Sequence, residues 1–253
     1  MRAIILAAGR GSRLQHNQDM PKCLLRFGSM TLLERHLRML KTFGVVEVVL
    51  GLGFRHDLVA AELDRLAWQP RPQIVLNPRF EVGSVLTVHT VAEAMTRGGD
   101  VLLMDADVLY DERLMGALLA GAGPVNRVLI DRDFETGDEP VKVCTQGEVP
   151  IELRKQVAPD LKYDRIGESV GFFRFDERAA RRLAAIVADY VNSDRSQMPH
   201  EEAVRDLIRE RSQVIEVTDV TGSPWIEIDF PLDVARAAQE VLPQLQALSG
   251  ASQ

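Results

Sequence analysis

Short apolar runs rich in β-branched residues alternate with helical patterns through the first half of this 253-residue chain. The pattern predicts strands at Ala3–Leu6, Val45–Leu50, Gln73–Asn77, Val101–Met104 and Val125–Ile130. It predicts helices at Leu32–Thr42, His56–Leu66, Ser84–Thr96 and Glu112–Leu119. Because right-handed crossovers between parallel strands place helices on both faces of a sheet, four such units favour a doubly wound α/β fold. We therefore expect a mostly parallel mixed sheet.

The pattern changes after about residue 131. Shorter strands are predicted at Val141–Cys144, Val149–Leu153, Ser169–Phe175, Gln213–Val217 and Trp225–Ile228. Helices are predicted at Asp176–Val191, Pro199–Arg211 and Pro231–Leu248, the last with a kink or break at Pro243. Since no low-complexity linker separates the halves, we predict one domain, 1–248, in which 132–248 adds a lobe of short strands and helices to 1–131. Residues 249–253 are expected to fray.

The charge balance limits the ligands that this chain can bind. Its 30 Lys and Arg against 37 Asp and Glu give a net charge of −7, which argues against non-specific binding to nucleic acid or to anionic membranes. Apolar runs reach only strand length, and no signal-peptide pattern opens the chain, so we expect a cytoplasmic protein without membrane insertion. Cys23 and Cys144 are too isolated for a redox pair or a zinc cluster, and we expect two reduced thiols.

A glycine-rich basic loop follows the first predicted strand. Residues 6–14 read LAAGRGSRL and Lys22 follows, so residues 1–26 carry five Lys or Arg against one acid, Asp19. Glycines let backbone N–H groups approach a phosphate, and the basic side chains add the positive charge that a polyphosphate requires. A dinucleotide-binding fingerprint would need glycine where Leu14 stands, and no P-loop motif occurs. At the carboxyl end of a parallel strand, this loop is therefore a candidate phosphate-binding site.

Two further strands end in acidic residues. Asp105 and Asp107 follow the apolar run 101–104, and Glu227 and Asp229 stand in the stretch 225–229. Strand alternation places Asp105 and Asp107 on the same side, and carboxylate oxygens suit a hard cation such as Mg²⁺. Each acidic pair taken alone is equally consistent with polar residues that end a strand.

These motifs resemble those of the nucleotidyltransferases that make activated sugars and alcohols. The similarity is strongest over residues 3–37 and 100–108, and the chain looks most like short cytidylyltransferases that act on phosphocholine, phosphonates or polyol phosphates. The resemblance implies a Rossmann-like nucleotidyltransferase fold, with 1–131 as the nucleotide-binding half and 132–248 on the acceptor side. It also implies an Mg²⁺-dependent reaction of a nucleoside triphosphate, with CTP favoured, and a small phosphorylated acceptor, with release of pyrophosphate.

The same resemblance assigns candidate roles to individual residues. The catalytic candidates are Lys22, Arg13 and Asp107, and the metal ligands are Asp107 and Asp229. The nucleotide-binding candidates are Leu6, Ala7, Ala8, Gly9, Gly11, Ser12, Arg13, Lys22, Asn77, Gly83, Ser84 and Asp105. The acceptor-binding candidates are Lys142, Lys155, Glu168, Glu201 and Trp225. Two acids and an indole among the latter would suit a cationic amine.

Other functions stay open at this point. A sugar-1-phosphate nucleotidyltransferase that uses UTP, dTTP or GTP is disfavoured because Lys155 lacks the Glu-Lys-Pro context of many such enzymes. A molybdenum-cofactor-type guanylyl- or cytidylyltransferase shares a similar opening motif. A non-catalytic nucleotide sensor would be expected to lose Lys22 or a metal carboxylate, and all are present. Whether the chain forms a homodimer is left open.

Overall fold

Strands and helices alternate around one mixed sheet in the computed structural model, which describes residues 1–14, 19–121 and 125–245. The strands are β1 (Arg2–Ala7), β2 (Arg26–Phe27), β3 (Met30–Thr31), β4 (Glu47–Leu52), β5 (Gln73–Leu76), β6 (Val101–Asp105), β7 (Val108–Tyr110), β8 (Asn126–Asp131), β9 (Lys142–Gln146), β10 (Val149–Arg154), β11 (Arg165–Phe175), β12 (Ile215–Asp219) and β13 (Trp225–Glu227). The helices are α1 (Leu32–Thr42), α2 (His56–Arg65), α3 (Ser84–Thr90), α4 (Ala92–Thr96), α5 (Glu112–Leu119), α6 (Glu177–Asn192), α7 (His200–Glu210) and α8 (Pro231–Arg236).

The parallel part of the sheet has the strand order β5-β4-β1-β6. The chain leaves β1 toward β4 and β5 on one side and returns to β6 on the other side. The loops that follow β1 and β6 therefore diverge at the carboxyl edge and leave a crevice, which is where open α/β sheets bind ligands. β11 pairs antiparallel with β6, with β9 and with β8, and β12 extends the sheet beyond β8. The predicted α/β fold with a mostly parallel mixed sheet is confirmed.

Two apolar layers cover the sheet. Ile5, Leu50 and Met104 pack on one face in a core that α1, α2 and α5 complete. Their neighbours Ile4 and Val49 point to the other face, where α3, α4, α6 and α7 pack against them. Adjacent residues of one strand thus enter opposite cores, as the two-residue period of a β-strand requires. The sheet is buried on both faces, as a doubly wound fold predicts.

Two predicted helices are shorter than expected. The helix predicted over Ser84–Thr96 is two helices, which meet at Val91. Thr90 donates its hydroxyl to the carbonyl of Thr87 at 2.7 Å, a side-chain bond that competes with the helical backbone pattern. The helix predicted over Pro231–Leu248 ends as α8 at Arg236 and continues as a π turn and a 3₁₀ turn. Pro243 lies in that 3₁₀ turn and cannot donate an α-helical hydrogen bond.

Short elements around the crevice were not predicted. These are a 3₁₀ turn at Lys22–Leu24, the β2–β3 hairpin, and the pairing of β7 with β13. The strand predicted at Trp225–Ile228 contains β13, but its partner β7 and the other short segments have only two or three residues, too few to display an alternating pattern. Of the predicted tail and the end of the last helix, residues 246–253 lie outside the described residues.

The described residues carry no helix that is both long enough and apolar enough to cross a membrane. Cys23 and Cys144 are both buried and neither forms a disulfide. Burial, together with the charge of Asp107, raises the pKa of the Cys23 thiol to about 12, so this thiol is not nucleophilic at neutral pH.

Candidate active site

The crevice between the loops after β1 and β6 contains a cavity of about 240 Å³. Its lining residues are Leu6, Ala7, Gly9, Gly11, Ser12, Arg13, Lys22, Cys23, Ala106 and Asp107. Gly11 has a φ of +63° and passes close to Lys22, such that a Cβ at this position would lie 2.9 Å from Lys22 Cγ. Glycine at position 11 therefore lets the loop follow this path without backbone strain and without displacing Lys22. The structure brings the predicted glycine-rich loop and Lys22 together in one cavity.

Lys22 lies between two carboxylates that are distant in sequence. Its Nζ donates to Asp107 Oδ2 at 2.8 Å and to Asp229 Oδ1 at 2.6 Å. Only 16% of the Lys22 side chain is exposed. Burial alone would lower the pKa of this lysine, but the two carboxylates outweigh burial and raise the pKa above its ordinary value. The ammonium therefore stays charged at neutral pH.

Asp107, Glu227 and Asp229 form a cluster of three carboxylates. One oxygen from each lies within 4.8 Å of the others. The β7–β13 ribbon assembles them, and the Ile228 amide donates to the Asp107 carbonyl at 2.9 Å. Asp233 fixes the next turn, because its Oδ2 accepts the backbone N–H of Asp229 at 2.9 Å. Three convergent carboxylates offer the hard oxygen donors that divalent cations prefer.

The electrostatics of this cluster differ from residue to residue. Burial would raise the pKa of Asp229, but Lys22 and Arg13 hold it below its usual value. The side chain of Glu227 is exposed to the cleft, but many protein atoms surround its carboxylate. This desolvation and the negative charges of Asp107 and Asp229 raise the pKa of Glu227 well above its usual range. A positive charge in addition to that of Lys22 would relieve the repulsion among these three carboxylates.

Asp105, the other acid of the predicted pair, has different neighbours. It ends β6 beside Gly171, whose φ is +77°, and a Cβ at Gly171 would collide with its carboxylate. His200 Nε2 lies 3.7 Å from Asp105 Oδ1. Burial and the charges of Glu201 and Asp107 raise the pKa of Asp105 well above its usual value. Asp105 therefore stands beside the three-carboxylate cluster without joining it.

Five predicted nucleotide-binding residues do not line the cavity around Lys22; these are Ala8, Asn77, Gly83, Ser84 and Asp105. Asn77 is buried, donating to Thr87 Oγ1 at 3.0 Å and accepting from a backbone N–H at 2.9 Å. Gly83 packs so tightly that a Cβ would lie 2.6 Å from the carbonyl carbon of Gln197. Ser84 Oγ accepts the backbone N–H of His200 at 2.8 Å. Asn77 therefore ties the segment after β5 to α3. Gly83 and Ser84 hold the start of α3 against the start of α7 and the residues just before it.

The predicted acceptor-binding residues do not converge on one place. Lys155 donates to Glu139 Oε2 at 3.0 Å, and Arg13 donates to the same oxygen at 2.9 Å. The guanidinium of Arg13 also lies 3.1 Å from Asp229 Oδ2. This contact links Arg13 and Lys155 to the carboxylates that bind Lys22. Glu201 instead lines a separate cleft with Lys155.

The remaining three acceptor candidates lie near β8 and β11. Lys142 donates its Nζ to the carbonyls of Gly137 at 2.6 Å and Lys155 at 2.7 Å. Glu168 and Trp225 line one larger cleft that adjoins Asp229. The structure therefore separates Glu201 from Glu168 and Trp225.

Several residues at this site were not assigned an individual role from the sequence. Glu227 follows from the same alternation that was applied to Asp105 and Asp107, because residues two apart on a strand share a face. Glu139 joins Arg13 and Lys155 from a loop, and His200 reaches Asp105 from α7. Neither of these contacts has a local sequence signal, since both depend on how distant segments meet.

Comparison with known proteins places this geometry in a family. Residues 3–158 match the MobA-like NTP transferase domain. Among curated relatives, the CTP:phosphoglutamine cytidylyltransferase of Campylobacter jejuni is 23% identical over 92% of this chain and 98% of its own. The bifunctional IPC transferase and DIPP synthase of Aquifex aeolicus is 27% identical over 93% of this chain. The chain spans only 50% of that bifunctional relative.

Solved structures share the whole fold. The inositol-1-phosphate CTP transferase from T. maritima has a TM-score of 0.78 at 19% identity, covering 100% of this chain and 97% of its own. The CTP:phosphocholine cytidylyltransferase from Streptococcus pneumoniae has a TM-score of 0.72 at 17% identity, covering 94% and 97%. The family match covers more than half of the chain and contains Lys22 and Asp107. This chain belongs to the MobA-like NTP transferase domain family and is a nucleotidyltransferase.

Proposed function

We propose that this protein is a Mg²⁺-dependent cytidylyltransferase that transfers CMP from CTP to a small phosphorylated or phosphonylated alcohol or amine. The observation that carries the proposal is the position of Lys22 Nζ, which lies between Asp107 and Asp229 at the edge of the glycine-rich cavity. The choice of CTP is supported by the names of the Campylobacter jejuni relative and of two structural neighbours.

The reaction needs no nucleophile from the protein. An anionic oxygen of the acceptor attacks the α-phosphorus of CTP, a new P–O bond forms, and the bond to the bridging oxygen of pyrophosphate breaks. Since the acceptor already carries the electron pair and the negative charge, alignment and charge neutralisation supply most of the rate. The described site fits this requirement, because it concentrates Lys22, Arg13 and Lys155 in a chain whose net charge is −7.

The loop backbone, Arg13 and Lys22 each have a role in this proposal. The backbone N–H groups around Gly9 and Gly11, with Arg13, hold the triphosphate. Lys22 neutralises the charge that develops around the α-phosphate. To do so, its ammonium exchanges one carboxylate partner for a phosphate oxygen, a movement that the four single bonds of a lysine stem allow.

The donor set fits a magnesium ion. Asp107 and Asp229 would hold Mg²⁺, and their oxygens and one of Glu227 lie within 4.8 Å of one another. When bound, the ion would neutralise phosphate charge and orient the triphosphate. Lys155 and Arg13 share Glu139 at the edge of this cluster, and we assign Lys155 to the acceptor phosphate. Lys142 donates to carbonyls and so supports the loop that carries Glu139.

Pyrophosphate release tests the proposal directly. The purified protein is incubated with each of CTP, UTP, dTTP, GTP and ATP, with Mg²⁺ and with phosphorylated amines, polyols and sugars. We expect turnover with CTP and one of the amines or polyols, and loss of turnover when EDTA removes the metal. Turnover with a sugar 1-phosphate and another triphosphate, or none with any pair, contradicts the proposal.

A variant pair ties the activity to the site. Lys22→Ala should lower kcat/KM by about a hundredfold or more, because the loss of a charged contact to the transition state costs about 3 kcal/mol. Lys162→Ala removes the same charge from an exposed position and serves as the matched control. Equal activity of the two variants would remove Lys22 from the mechanism.

A further inference from the structure

A second cleft, the acidic cleft, meets the catalytic cluster at Asp229. It encloses about 420 Å³ and is lined mainly by residues of the segments 131–140 and 225–236, with Glu168. Asp229 faces this cleft, and its Oδ1 also accepts a hydrogen bond from the ammonium of Lys22 at 2.6 Å. An acceptor whose phosphate attacks near Lys22 would extend its organic part into this space. The residues that line the acidic cleft therefore indicate which organic group the acceptor carries.

The acidic cleft has a large excess of negative charge. Nine Asp or Glu residues line it, against one basic residue, Arg236. Arg236 pairs with Glu135 at 2.9 Å, and Glu139 is held by Arg13 and Lys155. Among the described residues, Asp131 and Glu168 have no ion-pair partner. The lining thus leaves carboxylates that no ion pair among the described residues neutralises.

Glu168 and Asp131 stand directly opposite each other on paired strands, β11 and β8. Like charges at such positions repel, and burial increases the cost. Lys142 is the cross-strand neighbour of Glu168 on β9, but its Nζ donates to backbone carbonyls instead. Burial and the charge of Asp131 accordingly raise the pKa of Glu168 to about 7. A positive charge placed between the two acids would remove this repulsion.

Aromatic side chains complete the lining. Trp225 donates its indole N–H to Asp131 Oδ2 at 2.7 Å, which fixes the ring at the wall of the acidic cleft. Phe134 and Phe230 line the same space. Carboxylates combined with aromatic rings are the usual receptors for ammonium groups, which bind through ion pairing and cation–π contact. A neutral polyol could donate hydrogen bonds to these carboxylates but would leave their negative charge uncompensated.

The charged groups available to an acceptor at the edge of the catalytic cluster and in the acidic cleft have opposite signs. Lys22, Arg13 and Lys155 stand at the edge of the catalytic cluster, whereas Asp131 and Glu168 lie in the acidic cleft. We propose that the acceptor is a zwitterion, a phosphate or phosphonate whose organic part carries an amine or quaternary ammonium group, and that Glu168 and Asp131 bind this group. The inference rests on the proposed function for the position of the phosphate.

Binding of charge-matched probes tests the inference apart from turnover. Calorimetry would compare phosphocholine and phosphoethanolamine with 3,3-dimethylbutyl phosphate, which has the shape of phosphocholine but carbon in place of nitrogen. Each probe is titrated into the full-length protein, with and without Mg²⁺ and a non-hydrolysable CTP analogue. We expect at least one cationic probe to bind about tenfold or more tightly than the neutral one. Tighter binding of phosphoethanolamine would indicate a site for a primary amine, and tighter binding of phosphocholine would indicate a site for a quaternary ammonium.

Variants assign the preference to the acidic cleft. Glu168→Gln keeps the shape of the side chain and should abolish the preference while the affinity for the CTP analogue is unchanged. Asp131→Asn is the second variant, and Asp160→Asn, at an exposed position, is the control. Equal binding of cationic and neutral probes, binding of none, or a preference that survives both cleft variants overturns the inference. Absence of pyrophosphate release together with an intact charge preference would instead refute only the proposed function.

Discussion

Lys22 shows how one residue can serve two states of a site. Without ligands, its ammonium neutralises Asp107 and Asp229, which would otherwise repel each other and Glu227. The proposed Mg²⁺ requires the same two carboxylates. A divalent ion supplies more charge to this cluster than an ammonium does, so it would free Lys22 for the phosphate. The lysine and the metal are thus competitors in the ligand-free protein and partners in the proposed reaction.

His36 leads to a prediction about stability and pH. It is fully buried, and burial lowers its pKa to about 4 although the Ala106 carbonyl and Asp107 oppose this shift. In the unfolded chain the imidazole has its ordinary pKa of 6.5. Above pH 6.5 both states are neutral; as the pH falls toward 4, only the unfolded state gains a proton. Stability is therefore lost over that range, by up to about 3 kcal/mol.

Urea unfolding at several pH values between 7.5 and 4 checks this. The free energy of unfolding of the wild type should fall more steeply with decreasing pH than that of His36→Gln, which has no titratable group. His89→Gln, at an exposed position, should follow the wild type. Parallel curves for the wild type and His36→Gln would refute the assignment.

At the residue scale, the sequence predicted what lies in continuous motifs. The glycine-rich loop, Lys22 and Asp107 are recognisable because glycine and charge recur at fixed spacing after a strand, and the structure brings them together. The partners of Arg13 could not be predicted in this way. Glu139 comes from a loop whose path depends on the whole second half of the chain. Pairing across such a distance is a property of the tertiary fold.

At the scale of elements, most long periodic segments were predictable, and of the two- and three-residue strands only β13 was, as part of the strand predicted at Trp225–Ile228. The strands β1 and β6 carry unbroken apolar runs because both of their faces are buried. The β7–β13 ribbon consists of three residues per strand, and it forms only because the chain returns to the crevice at residues 225–227. This ribbon is the element that places Asp229 beside Asp107.

The ribbon gives a prediction at this scale. Leu109 of β7 is buried in a small core with Ile226 and Ile228, away from the two main cores. Leu109→Ala should destabilise the protein by about 2 to 5 kcal/mol and, through the moved ribbon, should also weaken binding of a Mg²⁺–CTP complex. Leu207→Ala removes an equally buried side chain from the main core beneath α6 and α7, and it is the control.

The readouts are the free energy of unfolding and the dissociation constant of the nucleotide complex, measured at a temperature where both variants are folded. Similar destabilisation with weaker binding only in Leu109→Ala supports the positioning role of the ribbon. If Leu207→Ala weakened binding equally, the loss would reflect general destabilisation and the ribbon would have no special part.

At the scale of the whole molecule, the two halves share one sheet. β11, from the second half, pairs with both β6 and β8 of the first half. The strands β8 and β12 pair in turn, and β8 has ladder partners only from residues beyond 131 among those described. Removal of the second half would expose the edge of β6 and leave β8 without a neighbour. The single domain over 1–248 stays a prediction, and this sharing is the structural reason to expect that the two halves unfold together.

Trp68 and Trp225 allow this prediction to be tested, since they are the two tryptophans of the chain and lie in different halves. Trp225→Phe leaves Trp68 as the reporter of the first half, and Trp68→Phe leaves Trp225 as the reporter of the second. In each variant, the urea midpoint from tryptophan fluorescence should coincide with that from far-ultraviolet circular dichroism, because unfolding of either half breaks the β6–β11 and β8–β11 pairs that the other half needs. Comparison within one variant cancels the effect of the substitution itself. A fluorescence midpoint displaced from the circular dichroism midpoint would divide the chain into two independent units.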